Sequence, residues 1–158
     1  MKQALKQALK IDRAEVADIP AMARLLSELF AIEQDFDCDH EKQIRGLGLL
    51  LNDTERAAIF VARDAENRVV GMVTAQLVIS TAEGAYSAWI EDMVVTSSYR
   101  GSGIGRSLLE QVTAWAKSKG ASRAQLLVDL DNQPAIDYYR HLSWQATSLA
   151  ARRLMLPG

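Results

Sequence analysis

The sequence predicts an α+β domain in which an antiparallel meander runs into a strand–helix–strand crossover. Three observations carry this. From about Ala58 the apolar pattern changes from helical spacing to short runs, "AAIFVAR", "RVVGMVTAQLVI" and "AWIEDMVV", separated by the turn-rich "DAEN" and "STAEGAYS". Ile104, Leu108, Leu109, Val112 and Trp115 then recur on one helical face. A further apolar run, "RAQLLVDL", follows that helix, and a strand–helix–strand crossover forces its two strands to lie parallel.

The elements follow in order. Ile11 to Glu15 reads as a short first strand. Asp18 reads as a helix N-cap, with Pro20 just inside, where its missing N–H costs nothing. Ile19, Met22, Leu25, Leu26, Leu29 and Phe30 form the core stripe of that helix. The acidic "EQDFDCDHEKQ" is a loop leading into a second helix that runs to about Leu51, in which Gly46 and Gly48 each cost about 1 kcal/mol relative to Ala. The first two runs of the meander pair as a hairpin. The crossover helix ends at Gly120, a good C-cap, and "RAQLLVDL" reads as a buried strand. Gln133 to Leu142 is a short helix, and "WQATSLAARRLML" is most simply a final pair of strands. The order is βααβββαβαββ, one domain over 1–158, with 1–9 and its duplicated "KQAL" as a flexible or helical extension.

Composition excludes several classes. A net charge of −2, with no Lys/Arg stripe, gives no footprint for nucleic acid. The longest apolar run, Val69 to Ile79, is about half a membrane span and is interrupted by Thr74 and Gln76, so no membrane partner is expected. "MKQALKQALK" has no continuous apolar core and does not read as a signal peptide. Cys38 is alone, which rules out an internal disulfide and fits a reducing, cytoplasmic location. His40 and His141 have no second ligand at useful spacing, so no metal is expected.

The informative stretch is Arg100-Gly101-Ser102-Gly103-Ile104-Gly105-Arg106, between a strand and a helix. Alternate glycines let backbone N–H groups approach a ligand closely, and a helix N-terminus already offers unsatisfied donors and positive dipole. The two arginines add charge at the rim. Together these point to a phosphate or pyrophosphate. A nucleotide-hydrolysing P-loop is excluded because Arg106, not Lys, stands between the last glycine and Ser107, and the glycine spacing ahead of them is wrong. A dinucleotide-binding turn is excluded by the G-x-G-x-G spacing, by the intervening "TSSYR" and by the upstream meander.

Arg100 to Gly105 resembles the R/Q-x-x-G-x-G/A acetyl-CoA motif of the GNAT superfamily of N-acetyltransferases. "DNQPAIDYYRHLSW" is similar to that family's N-x-x-A-x-x-F-Y-x-x-x-G-F/W block, with Ser143 where the family usually has glycine. The resemblance implies a GNAT-like, three-layer α/β arrangement: a mainly antiparallel sheet, a parallel pair splayed at the cofactor cleft, and helices on both faces. It implies acetyl-CoA as co-substrate, with the pyrophosphate on the amides of Gly101, Ser102, Gly103, Ile104, Gly105 and Arg106. Backbone groups of Met93, Val94 and Val95 would pair with the pantetheine arm, Asn132 would contact that arm, and Tyr139 would sit near the sulfur.

Acetyl transfer to an amine needs a base, because an alkylamine with a pKa of about 10 is protonated at neutral pH. Glu91 is the candidate, acting through water. It shares a strand face with Trp89 and Met93, while Asp92 points the other way if alternation holds. A bulge, usual in the family, would break that alternation and could exchange the two roles. Tyr139 is the candidate acid, since its pKa of about 10 is close to a thiol's ~8.5. Its neighbour Tyr138 points about 100° away and reads as aromatic core. By resemblance, the Met93 N–H is the oxyanion donor.

Glu33, Asp35, Asp37 and Asp39 could steer a cationic amine, though such a run is more often a solvated loop. Cys38 as an acetyl-carrying nucleophile lacks a positioned base. The acceptor stays open between a small-molecule amine and a peptide amino terminus, and a homodimer fits the family. The alternative is a non-catalytic acyl-CoA-binding regulatory module, which would keep the glycine loop and need neither Glu91 nor Tyr139.

Overall fold

A computed structural model describes residues 9–32 and 39–158. The chain divides into two compact units, one reaching to Leu127 and one from Val128 to Gly158.

The first unit holds β1 (Lys10–Arg13), a 3-10 turn (Val16–Asp18), α1 (Ile19–Ile32), α2 (His40–Asn52), β2 (Ala57–Arg63), β3 (Val69–Ser80), β4 (Ala85–Val95), a second 3-10 turn (Ser97–Tyr99), α3 (Ile104–Ser118) and β5 (Ala121–Leu126). The strands form one sheet in the order β1-β2-β3-β4-β5. Every neighbouring pair is antiparallel except β4 and β5, which are parallel, as the crossover requires.

Helices cover both faces. Met22, Ala23, Leu25 and Leu26 of α1 and Leu47 of α2 bury against Ile59, Val61, Met72 and Val94. Successive strand residues face opposite ways, so Gly71, next to Met72, looks toward α3. A Cβ at Gly71 would lie 3.2 Å from Leu108 Cδ1 and 3.3 Å from Ile104 Cγ2. That close approach seats the first turn of α3 on the sheet. The face predicted for α3 is the buried one: Ile104, Leu108, Leu109, Val112 and Trp115. The helix ends as expected, with Gly120 at φ 95° just beyond it. α2 runs through Gly46 and Gly48 and is capped by Asp39, whose side chain accepts from the Lys42 N–H.

Three expectations need correction. Asp18 does not cap α1. It ends the 3-10 turn, and its carboxylate takes the Glu15 N–H at 2.8 Å and both Arg63 guanidinium N–H groups at 2.8 Å. Arg63 also donates to Asp12 at 3.2 Å, so one buried cation joins β1, β2 and the entry to α1. β5 is not a buried strand. It is an edge, with Ser122 and Arg123 exposed and Leu127 beyond it 64% exposed. Residues 144–158 contain no strand, and Leu149, Leu154, Met155 and Leu156 are exposed. Strand propensity is expressed against a partner, and this run has none to pair with in its own unit.

The second unit is organised by α4 (Gln133–His141). Asn132 is its N-cap, accepting the Ala135 N–H at 3.2 Å. The helix closes in a Schellman turn, with the Trp144 N–H on the Tyr139 carbonyl at 2.9 Å and the Ser143 N–H on the Arg140 carbonyl at 3.0 Å. That geometry holds Ser143 at φ 72°, where glycine carries no penalty. Ser143→Gly is therefore expected to raise stability by about 1 kcal/mol, read as an upward shift in thermal midpoint.

Candidate active site

The glycine loop has the geometry its composition implies. Gly101 and Gly103 have φ values of 77° and 84°, left-handed conformations open to glycine at no steric cost, and Gly103 is the N-cap of α3. The earliest bond of the helix runs from the Ser107 N–H to the Gly103 carbonyl at 3.1 Å. Among the described residues, no backbone carbonyl takes the amides of residues 101–106. Six consecutive N–H groups thus stand at the positive end of a 15-residue helix. This row fits the charge and size of a pyrophosphate.

The two arginines are already engaged. Arg100 Nε donates to the Val95 carbonyl at 3.1 Å, folding its guanidinium onto the end of β4. Arg106 Nε pairs with Glu110 at 3.0 Å. Such an exposed i,i+4 pair is worth only about 0.3–0.5 kcal/mol, too little to hold Arg106 away from an anion.

β4 carries the acidic candidates, and its pairing changes there. It pairs with β5 from Tyr86 to Ile90 and continues for five more residues. On its other side, Glu91 faces Thr74 and Val94 faces Met72, so Asp92 and Met93 together oppose one residue of β3. This is the β-bulge, and Asp92 within it has φ 54°. The expected alternation is broken. Val94, not Met93, takes the core position on the face of Glu91, and Asp92 does not simply point the other way. Its Oδ2 accepts from the buried Thr74 hydroxyl at 3.1 Å, and Thr74 lies opposite Glu91. Both carboxylates are therefore drawn to one side of the sheet. Glu91 is exposed, and its Oε1 accepts the Trp89 indole N–H at 2.6 Å.

In the second unit, Asn132 is half-buried and its Oδ1 is used as the cap. Tyr139 is half-buried, its ring edge-on to Trp144 with centroids 6.0 Å apart and to Tyr138 at 5.5 Å. Tyr138 is not core; it is 36% exposed.

Sequence reading missed the contacts that support the site. Trp89 orients Glu91, Thr74 fixes Asp92, and Thr96 donates to Glu28 of α1 at 3.0 Å. The Trp-x-Glu spacing on one strand face was the available signal for the first; the others join distant parts of the chain. Among the described residues, no group of His, Cys, Asp and Glu could hold a metal ion, and no helix is long and apolar enough to cross a membrane. His40 opens α2 and His141 closes α4. Glu33, Asp35, Asp37 and Cys38 lie outside the described residues.

A mixed sheet with one parallel pair, a bulged β4 and an amide row at the start of the crossover helix define an acyltransferase-type fold. The acetyltransferase (GNAT) family model matches residues 19–144, spanning both units, and the chain belongs to that family. Spermidine/spermine N(1)-acetyltransferase-like protein 1 of Homo sapiens is 28% identical over 147 residues, covering 88% of this chain and 21% of its own length. Aminoglycoside N(6')-acetyltransferase type 1 of Stenotrophomonas maltophilia is 29% identical over 119 residues, covering 73% of this chain and 72% of its own. The chain spans only 21, 34 and 30% of the length of three of the curated relatives it matches. Among solved structures, a possible acetyltransferase from Clostridium difficile 630 shares the fold with a TM-score of 0.83 at 18% identity, covering 96% of this chain and 99% of that one.

Proposed function

We propose that this acetyltransferase moves an acetyl group from acetyl-CoA to a primary amine of a small molecule or a peptide amino terminus, by direct attack in a ternary complex. The observation that carries this reading is the row of six uncommitted amides at residues 101–106, opening α3 behind two left-handed glycines. The pyrophosphate would lie on that row, with Arg100 and Arg106 at its rim. Backbone groups of Met93, Val94 and Val95 would take the pantetheine arm along the stretch of β4 that β5 leaves unpaired, and Asn132 would contact the same arm.

In the reaction, the amine nitrogen forms the new C–N bond and the C–S bond breaks. Glu91, held by Trp89, takes the amine proton through water, and Tyr139 returns a proton to the departing thiolate. The ladder register shifts at Asp92 and Met93, and the Met93 N–H would serve the oxyanion. The printed names of the relatives, one spermidine/spermine-related and one acting on aminoglycosides, support an amine as acceptor. The same reading takes 1–158 as one acetyltransferase domain working in the cytoplasm.

A panel of polyamines, amino acids, aminoglycosides and peptides, followed by thiol release from acetyl-CoA, tests this. With the best acceptor, Glu91→Gln is expected to lower kcat about 10²-fold and to leave CoA affinity unchanged. Coenzyme A binding without turnover on any amine would point instead to the regulatory module.

A further inference from the structure

The amide row begins two residues after Tyr99, and Tyr99 is fastened at both ends. Its carbonyl accepts the Ser102 hydroxyl, closing the bend that holds Gly101 at φ 77°. Its phenol donates to Asp64 Oδ2 at 3.3 Å, 35 positions earlier in the chain. Asp64 sits in the β2–β3 turn, and its side chain is only 3% exposed. It is a rigid anchor: Oδ1 accepts the N–H groups of Glu66 at 3.0 Å and Arg68 at 2.9 Å, and Oδ2 accepts Arg68 Nε at 2.8 Å. The backbone bonds Asp64 N–H to Arg68 carbonyl and Asn67 N–H to Asp64 carbonyl, each 2.9 Å, lock the same turn.

Burial pushes the Asp64 carboxyl up, but the Arg68 hydrogen bonds and charge and the Glu66 N–H outweigh it and hold the group below its ordinary range. The Tyr99 phenol is pushed up, first by burial and then by the Asp64 charge and hydrogen bond, so it stays a donor.

We infer that Asp64 and Tyr99 are positioning residues for the anion loop: the β2–β3 turn, through the Tyr99 phenol, sets the orientation in which the amides of residues 101–106 meet a pyrophosphate. This rests on the reading of that loop given above. The Tyr99–Asp64 bond joins the 3-10 turn Ser97–Tyr99 to the hairpin turn, while the Thr96 N–H to the Val70 carbonyl at 2.9 Å fixes the turn's start on β3. A preorganised donor row gains its affinity from not having to order on binding, so releasing the brace reduces affinity for the pyrophosphate end of the donor in particular.

The test compares two acetyl donors, acetyl-CoA and S-acetylpantetheine, which carries the thioester and pantetheine arm but no pyrophosphate. For Tyr99→Phe, the KM for acetyl-CoA is expected to rise about tenfold, the size of one charge-assisted hydrogen bond. The kcat should stay within about twofold, as should kcat/KM for S-acetylpantetheine. Asp64→Asn in the Tyr99→Phe background should add little to the acetyl-CoA KM, because the contact is already gone. Equal losses with both donors would show a general packing role and overturn the inference, as would an unchanged KM for acetyl-CoA. Should Tyr99→Phe fold poorly, Asp64→Asn alone, which weakens the same contact from the hairpin side, is held to the same donor comparison. Wild-type protein that uses S-acetylpantetheine and acetyl-CoA equally well would overturn the loop reading itself, a result distinguishable from failure of the brace alone.

Discussion

Tyr139→Phe is expected to lower kcat by about 10²–10³-fold while the thermal midpoint and coenzyme A affinity stay near wild type. The substitution removes one oxygen and keeps the ring. The edge-on contacts with Trp144 and Tyr138 and the backbone bond from Trp144 to the Tyr139 carbonyl all survive it. On the proposed mechanism, what is lost is the phenol that protonates the leaving thiolate, a group whose ordinary pKa of about 10 lies close to a thiol's ~8.5. Tyr138→Phe is the control and should retain full kcat. A Tyr139→Phe enzyme with wild-type kcat would take the residue out of the reaction. Equal loss in both variants would point to the aromatic cluster rather than the phenol.

Asp18→Ala should have the largest effect on stability. Among the described residues, it leaves Arg63, whose side chain is 11% exposed, with the Asp12 contact alone. Removing one member of a buried pair strands the other charge, here at a cost of about 3 kcal/mol, the low end of the usual range because Asp12 remains. For a chain of this size that is a fall of ~10 °C in thermal midpoint. The double variant Asp18→Ala/Arg63→Met should recover part of the loss, since no buried charge is then left over. Measured coupling of zero between the two sites would remove the pair from the account of stability.

The same pair predicts how the fold responds to acid. Hydrogen bonding from Arg63, opposed by burial, holds the Asp18 carboxyl below its ordinary value of 3.8, with the Glu15 N–H and the Arg63 charge acting in the same direction as the hydrogen bond. As the pH drops past that ordinary value, the unfolded chain takes up the proton while the folded one does not. The stabilisation is complete above about pH 4 and is lost as pH falls through the depressed native value. Asp64 is depressed as well and adds to the same acid limb. Asp18→Asn should flatten the pH dependence of stability in that window and leave it unchanged near neutrality.

Local pattern carried most of the sheet. β2 falls on "AAIFVAR" residue for residue, because a run of β-branched and small apolar residues bounded by turn chemistry has few other uses. The turn into α3 was legible for a related reason: glycine, arginine and a helix start coincide within seven residues. Contacts that join distant parts of the chain were not legible. Asp18 looks like a cap from its neighbours, and only the arrival of Arg63, 45 positions later, changes its role. The bulge at Asp92 was foreseen as a condition, but its result depends on Thr74 across the ladder. "WQATSLAARRLML" has strand composition, yet residues 144–158 form no strand. Composition describes what a segment could do, and pairing needs a second segment.

The kink at Asp92 also bears on solubility. Five residues of β4 extend past their last pair with β5, and a straight strand with one open side is a ready template for another chain to add to. The left-handed residue at 92 interrupts the regular spacing of donors and acceptors there, and the Arg100 guanidinium covers the Val95 carbonyl at the far end. A stretch this short and irregular is a poor seed for fibrous self-association.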